Sequence, residues 1–280
     1  MKLTNLCSFG FLLAGTIPSL LLAQTDIPLL SEAVYQKTSG PTVKIVSDAG
    51  RKIGSGVIVG VRRDGVGFIL TSYSMVAGRD KVAVILRNYS DPLLGRVVDK
   101  WIDFDLDLAI ISITEFPAEQ PMVTIVKSTE AIVGESYSII SHTDIGDWSA
   151  VAVELTSAEK TNLKLNLDDA TGCEGAPLVN KDGNLLGLLV TTKGSPTEGG
   201  TFGEAVPSGM LLPILQDWFQ SIDLQQKWQE KGGGFGSWIW AIGGGILGGA
   251  VATMVALSGG DSDGPSGLPR PPDPPAGGEQ

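Results

Sequence analysis

From Thr42 to Ser208 the chain is a succession of short apolar runs, each cut off by Gly, Asp, Asn or Pro. Runs of this length hold a strand and are too short for most helices. Val, Ile and Thr dominate them, and turn residues recur about every 8 to 12 positions. That rhythm favours a sandwich or barrel over β-α-β units. The first group of candidate strands is Thr42–Ser47, Gly54–Val61, Gly67–Thr71, Lys81–Leu86, Gly95–Trp101 and Leu108–Ile113. The second is Val123–Val126, Ser136–Ile140, Ser149–Leu155, Asn162–Leu167, Pro177–Val179, Leu185–Thr192 and Phe202–Val206. Arg63-Asp64-Gly65 and Lys181-Asp182-Gly183 supply hairpin turns. Helical patterning is confined to the flanks. Leu29–Lys37 reads as a short leading helix. Met210–Ile222 reads as an amphipathic closing helix with Leu211, Leu215, Trp218 and Phe219 on one face and Ser208 as its cap. Two small barrels suit this count of strands.

The ends carry different signals. Lys2, the apolar stretch Leu6–Leu22 and Ala23 before Gln24 form a secretory signal over residues 1–23, with an uncleaved anchor helix as the alternative. Cleavage leaves Cys173 as the one cysteine, so no internal disulfide forms. It reads as a small buried residue. The barrel domain is assigned to residues 24–222 and a linker to 223–237. Trp238–Leu257 is twenty residues without a charge, enough for a helix of about 30 Å, the thickness of a bilayer core. Trp238 and Trp240 suit the membrane interface, and the Gly244/Gly248 and Gly245/Gly249 pairs allow close helix packing. A glycine-rich linker is the other reading of this segment. Residues 258–280, rich in Gly, Pro, Asp and Ser, cannot bury enough apolar surface to fold.

Composition excludes several function classes. The net charge is −11 with no cluster of Lys or Arg, which argues against a nucleic-acid partner. A single His and a single mature Cys make no zinc set, and Gly232–Gly249 lacks the strand and Lys-Ser/Thr ending of a phosphate loop. No cofactor is expected.

Three segments, in this order, resemble trypsin-like serine proteases of the HtrA type. The first is Gly54-Ser55-Gly56-Val57-Ile58-Val59, followed by Ile69-Leu70-Thr71-Ser72-Tyr73-Ser74-Met75-Val76-Ala77-Gly78. In the family that turn carries the catalytic histidine, and here Ser74 holds the position. The second is Asp107-Leu108-Ala109-Ile110-Ile111, where Asp107 keeps the aspartate that orients the histidine. The third is Gly172-Cys173-Glu174-Gly175-Ala176-Pro177-Leu178-Val179-Asn180, similar to the nucleophile loop, with Glu174 in the serine position. The segments Asp182–Leu188 and Gly203–Ser208 also resemble the family. The resemblance covers about Leu30 to Gln220. It implies an all-β fold, a double six-stranded barrel with a cleft between the barrels. It implies oxyanion-hole amides at Gly172, Cys173 and Glu174. It also implies a homo-oligomer, which no sequence feature establishes. The PDZ domain usual in the family is not expected in residues 223–280.

The departures fall on the reacting groups. Ser74 cannot act as a base near neutral pH, and Glu174 is a poor attacking group. In such triads, loss of the serine or the histidine alone lowers kcat on the order of 10⁶-fold. His142, the one histidine, reads as an exposed residue of the Ser141-His142-Thr143-Asp144 loop. Two rescues exist on paper: Cys173 as nucleophile, or Ser74 as nucleophile with Glu174 as base. The favoured expectation is a polar plug that joins the barrels. In it the Glu174 carboxylate sits in the loop's N–H nest or on Ser74, and Ser74 Oγ reaches Asp107 through a water. The expected function is an exported, membrane-tethered pseudoprotease. Its partners would be extended or unfolded polypeptide, or an envelope protein, and the membrane through residues 238–257. A hydrolase with an altered site and a structural subunit of an envelope complex are the alternatives.

Overall fold

The computed structural model describes residues 30–127, 131–142, 148–167, 170–195 and 200–229. The expected signal over residues 1–23, the apolar segment 238–257 and the segment 258–280 lie outside these residues. Among the described residues no helix is long and apolar enough to cross a membrane.

A short helix, α1 (Glu32–Ser39), leads the domain. Ser31 Oγ accepts the Val34 N–H and caps it. The first barrel follows: β1 (Thr42–Ser47), β2 (Lys52–Arg62), β3 (Gly67–Ser72), the single turn α2 (Tyr73–Val76), β4 (Lys81–Ile85), β5 (Leu93–Asp103) and β6 (Leu108–Ile113). Its strands run in the order β1-β4-β5-β6-β3-β2, and pairing of β1 with β2 closes the ring. The second half holds β7 (Thr124–Val126), β8 (Ser136–His142), β9 (Trp148–Ala158), β10 (Leu163–Leu167), β11 (Pro177–Val179), β12 (Leu185–Ser195) and β13 (Gly200–Pro207). Here β8, β9, β10, β13, β12 and β11 pair in sequence, and β11 returns to β8. Closure removes the free edges that an open sheet would expose. The expected double barrel is therefore present.

Each barrel has an apolar interior, and a third cluster lies between them. Along β2, Ile58 packs inside the first barrel, while Val57 and Val59 face the shared cluster with Leu185, Leu188, Leu211 and Phe219. Alternation along a strand normally sends one side to water. Here both sides are covered, which is why Gly54–Gly60 is buried throughout and reads as an unbroken apolar run.

The closing helix α3 (Ser208–Trp218) starts earlier and ends sooner than its apolar pattern predicts. Ser208 is not its cap. Pro207 holds that place, and Ser208 Oγ instead donates to Val126 O at 3.0 Å. The segment expected to begin a linker also belongs to the fold. β14 (Leu224–Gln225) pairs with β2, and β15 (Lys227–Gln229) runs parallel to β7. Trp228 Nε1 donates to Val59 O at 3.0 Å. The chain after α3 thus straps one sheet to the other.

Candidate active site

The site is assembled where α2, the turn before β6 and the loop before β11 meet between the barrels. α2 is one turn long and lifts Ser74 off the end of β3. Asp107 stands just ahead of β6 with φ 54°, a left-handed conformation that Asp tolerates better than most residues. Its main chain and side chain both grip α2. Tyr73 N–H donates to Asp107 O at 2.8 Å, and Ser74 N–H donates to Oδ1 at 2.7 Å. Ser74 Oγ donates to Oδ2 at 2.8 Å. The expected bridging water is unnecessary, because the serine hydroxyl reaches the carboxylate directly.

Burial pushes the Asp107 carboxyl above its ordinary pKa, against the two Ser74 hydrogen bonds; Glu174 adds to the rise and Lys52 opposes it. A carboxyl raised in the folded state contributes stability that is full below its unfolded pKa. That contribution is lost as pH rises through the folded value. Asp107→Asn removes the half-buried charge and keeps both contacts, since Oδ1 still accepts and Nδ2–H can donate to Ser74 Oγ. Its urea midpoint at pH 7 should equal or exceed that of the unmodified chain, and a lower midpoint would refute this account of the carboxylate.

The loop carrying Glu174 is shaped by two glycines. Gly172 has φ 69°, and a Cβ there would lie 1.5 Å from His142 O. Gly175 has φ 79°, and its Cβ would lie 2.0 Å from Ser55 O. The loop is therefore pressed onto the Gly54-Ser55 end of β2. Ser55 N–H donates to Glu174 O at 2.7 Å, a main-chain bond between the barrels. Cys173 N–H, one of the amides expected to face an oxyanion, donates to Ala170 O at 3.1 Å within its own loop. The Cys173 side chain is buried in the second barrel's core, with Leu178 and Leu189 in the same cluster.

The Glu174 carboxylate is neither in a nest of amides nor on Ser74. It pairs with Lys52, whose Nζ lies 3.0 Å from Glu174 Oε2 and donates to Ser74 O at 2.8 Å. The contact with Oε2 is one of charge, outside hydrogen-bond geometry. Lys52 belongs to the first barrel and Glu174 to the second, so the plug joining them exists with a cation at its centre. Sequence reasoning missed Lys52. A single lysine at the start of a strand carries no pattern.

His142 is the second correction. It is fully buried, at the end of β8 and beneath the Gly172 peptide. Its Nδ1 lies 2.8 Å from Ser55 Oγ, which donates to Gly172 O at 2.9 Å. A hydroxyl has one hydrogen, and the carbonyl can only accept, so Nδ1 carries the proton and donates to Ser55. Nε2 is then a bare acceptor, buried and without a hydrogen-bond partner among the described residues. The ring stands edge-on to Trp148 at a centroid distance of 4.5 Å. Burial, with help from the Lys44 charge, lowers the His142 pKa to about 3. The imidazole is thus neutral, and its partners are Ser55 and Trp148 rather than the side chains of Ser74, Asp107 or Glu174.

Residues 54–188 match the family model of the trypsin-like peptidase domain. This segment has a trypsin-like fold. The match spans Ser74, Asp107 and Glu174. Among solved structures, the chain is similar to the serine endoprotease from Yersinia pestis, with 20% identity and a TM-score of 0.57, covering 70% of this chain and 69% of the other. It is also similar to an inactive form of Rv3671c from M. tuberculosis H37Rv, a serine-to-alanine mutant, with 20% identity and a TM-score of 0.54 over 70% of this chain and 98% of the other. A further inactive form of the Rv3671c protease gives 20% identity and a TM-score of 0.52, with coverages of 68% and 98%. No curated protein matches the chain. At this identity the structural likeness speaks to the fold.

Proposed function

We propose that this trypsin-like peptidase domain does not cleave peptides and instead binds extended polypeptide in the cleft between its barrels. The observation that carries the reading is the Ser74–Lys52–Glu174 link. The two positions that would exchange a proton during acyl transfer are occupied by a hydroxyl committed to Asp107 and a carboxylate committed to an ammonium ion. Acyl transfer needs a base beside a nucleophile and donors aimed at the developing oxyanion. His142, the chain's one imidazole, is engaged with Ser55 on the buried side of the loop. Neither paper rescue gains support, since the Cys173 side chain is buried in the barrel core and Glu174 is paired with Lys52 rather than with Ser74. A cleft between barrels suits an extended segment, whose main chain can hydrogen-bond to the loops that line it. The signal and the apolar segment support placing the domain outside the cytoplasm, tethered to a membrane through residues 238–257.

Casein hydrolysis by the full-length chain, run beside the double variant Ser74→His/Glu174→Ser, tests the reading. The unmodified chain should be silent, and cleavage by the variant would show the rest of the machinery to be intact. Cleavage by the unmodified chain that Glu174→Ala abolishes would make this an enzyme with rearranged chemistry.

A further inference from the structure

We propose that the polypeptide taken by the cleft is acidic, its carboxylates replacing Glu174 on Lys52. The inference rests on the binding reading above and names its ligand. Beside Glu174 lies a shallow depression of about 570 Å³, open to solvent. Arg51 and Lys52 line one wall, and Thr171, Gly172, Glu174 and Thr192 line the other. Both cations are open to solvent, with side chains 77% and 39% exposed, so an incoming carboxylate reaches them without unfolding.

Exchange is favoured by the way Glu174 is held. Its Oε2 is close to the ammonium but makes no hydrogen bond there. Charge alone holds this buried oxygen, and a carboxylate that makes a charge-assisted hydrogen bond to Lys52 would be the stronger partner. The other anions nearby are better fixed. Asp107 accepts two hydrogen bonds from Ser74, and Asp48 takes the guanidinium groups of both Arg51 and Arg79. Glu174 is therefore the carboxylate most readily displaced.

The charge balance selects the ligand. Arg51, Lys52 and Arg79 stand against Asp48, Asp107 and Glu174. A neutral segment that displaces Glu174 leaves Lys52 unpaired. An acidic one keeps a carboxylate on Lys52 while Glu174 turns to solvent on its loop. The glutamate in the serine position thus acts as a tethered competitor for the acidic ligand. Because the whole chain is at −11, recognition depends on contact at this rim and not on long-range steering.

The test is fluorescence anisotropy on the full-length chain in detergent at physiological ionic strength. The probes are three labelled peptides of equal length, alternating Gly with Glu, Gln or Lys. The Glu peptide should bind tightest. Glu174→Gln should tighten that binding about fivefold, the scale of one partly exposed ion pair. Lys52→Met should erase the preference for Glu over Gln, and Lys52→Arg should restore it. A melting curve checks that each variant is folded; if Lys52→Met is not, Glu174→Gln and Lys52→Arg still decide. Equal binding of mutually competing Glu and Gln peptides overturns the acidic preference and leaves the cleft reading standing. A preference for the Lys peptide, or an unchanged affinity in Glu174→Gln, also overturns it. If none of the three binds, the cleft reading itself falls.

Discussion

Lowering the pH from 7 to 5 is expected to weaken the folded domain through one residue, His142. In the unfolded chain its imidazole titrates near 6.5, and in the folded chain near about 3. Between those values the unfolded state binds a proton that the folded state refuses. Stability is therefore full above about pH 6.5 and falls with acid at about 1.4 kcal/mol per pH unit, levelling near pH 3. The full drop is about 4 to 5 kcal/mol, a large share of the 5 to 15 kcal/mol that holds a domain together. The physical cause is visible in the packing. A proton on Nε2 would place a charge and an unpaired donor in a wall of side chains at the foot of Trp148, with Lys44 already contributing positive charge. Asp107, whose carboxyl is raised, shifts stability in the opposite direction, so urea midpoints between pH 7 and pH 5 measured in the Asp107→Asn background isolate the imidazole. His142→Asn retains a donor to Ser55, since Nδ2–H falls near the place of Nδ1–H. It should lower stability at pH 7 and flatten the slope. An unchanged slope in that variant would show that another group governs the response.

The fold was legible where the cause is local. β1 and β6 match their sequence assignments because alternation and turn residues mark both ends of each strand. The placement of Ser74 against Asp107 was legible in the order of the motifs. The strand-end turn and the strand-start aspartate lie on neighbouring strands, β3 and β6, whose register pairs Ser72 with Leu108. What could not be read depends on contacts between distant segments. His142 sits in a sequence with every mark of a turn, yet its burial is decided by Ser55, 87 positions away. β15 is three residues long and pairs with β7 about a hundred positions earlier, so no periodicity announces it. Lys52 has a meaning only once Glu174 is opposite it.

These non-local contacts converge on one line between the barrels. Ser55 donates its main-chain N–H to Glu174 and its hydroxyl to Gly172, and receives the His142 proton. Lys52, three residues earlier, takes Ser74 on one side and Glu174 on the other. The start of β2 is thus bonded to the loop that carries Glu174 from both its buried and its open side. An enzyme would need that loop to present a nucleophile. Here the loop also serves as the joint between the two halves.

Gly172→Ala should break that joint. At φ 69° an L-residue is strained by roughly 1 to 2 kcal/mol on backbone grounds alone. The added Cβ would also coincide with His142 O, 1.5 Å away, and a carbonyl in a closed barrel cannot swing aside as a flexible side chain could. The loop must move, and with it go the Gly172 O···Ser55 bond and the orientation of His142. The combined loss should reach about 4 kcal/mol or more, the range reserved for core disruption. Gly65→Ala and Gly78→Ala supply the comparison. Both sit at positive φ, 85° and 70°, but a Cβ there meets nothing within 4 Å. Each should lose only the backbone strain. Urea midpoints should therefore fall modestly for these two, while Gly172→Ala fails to give a cooperative transition or unfolds at a far lower concentration. Equal shifts in all three would mean that the loop yields freely. The rigid link between the barrels, on which the placement of Glu174 against Lys52 depends, would then be wrong.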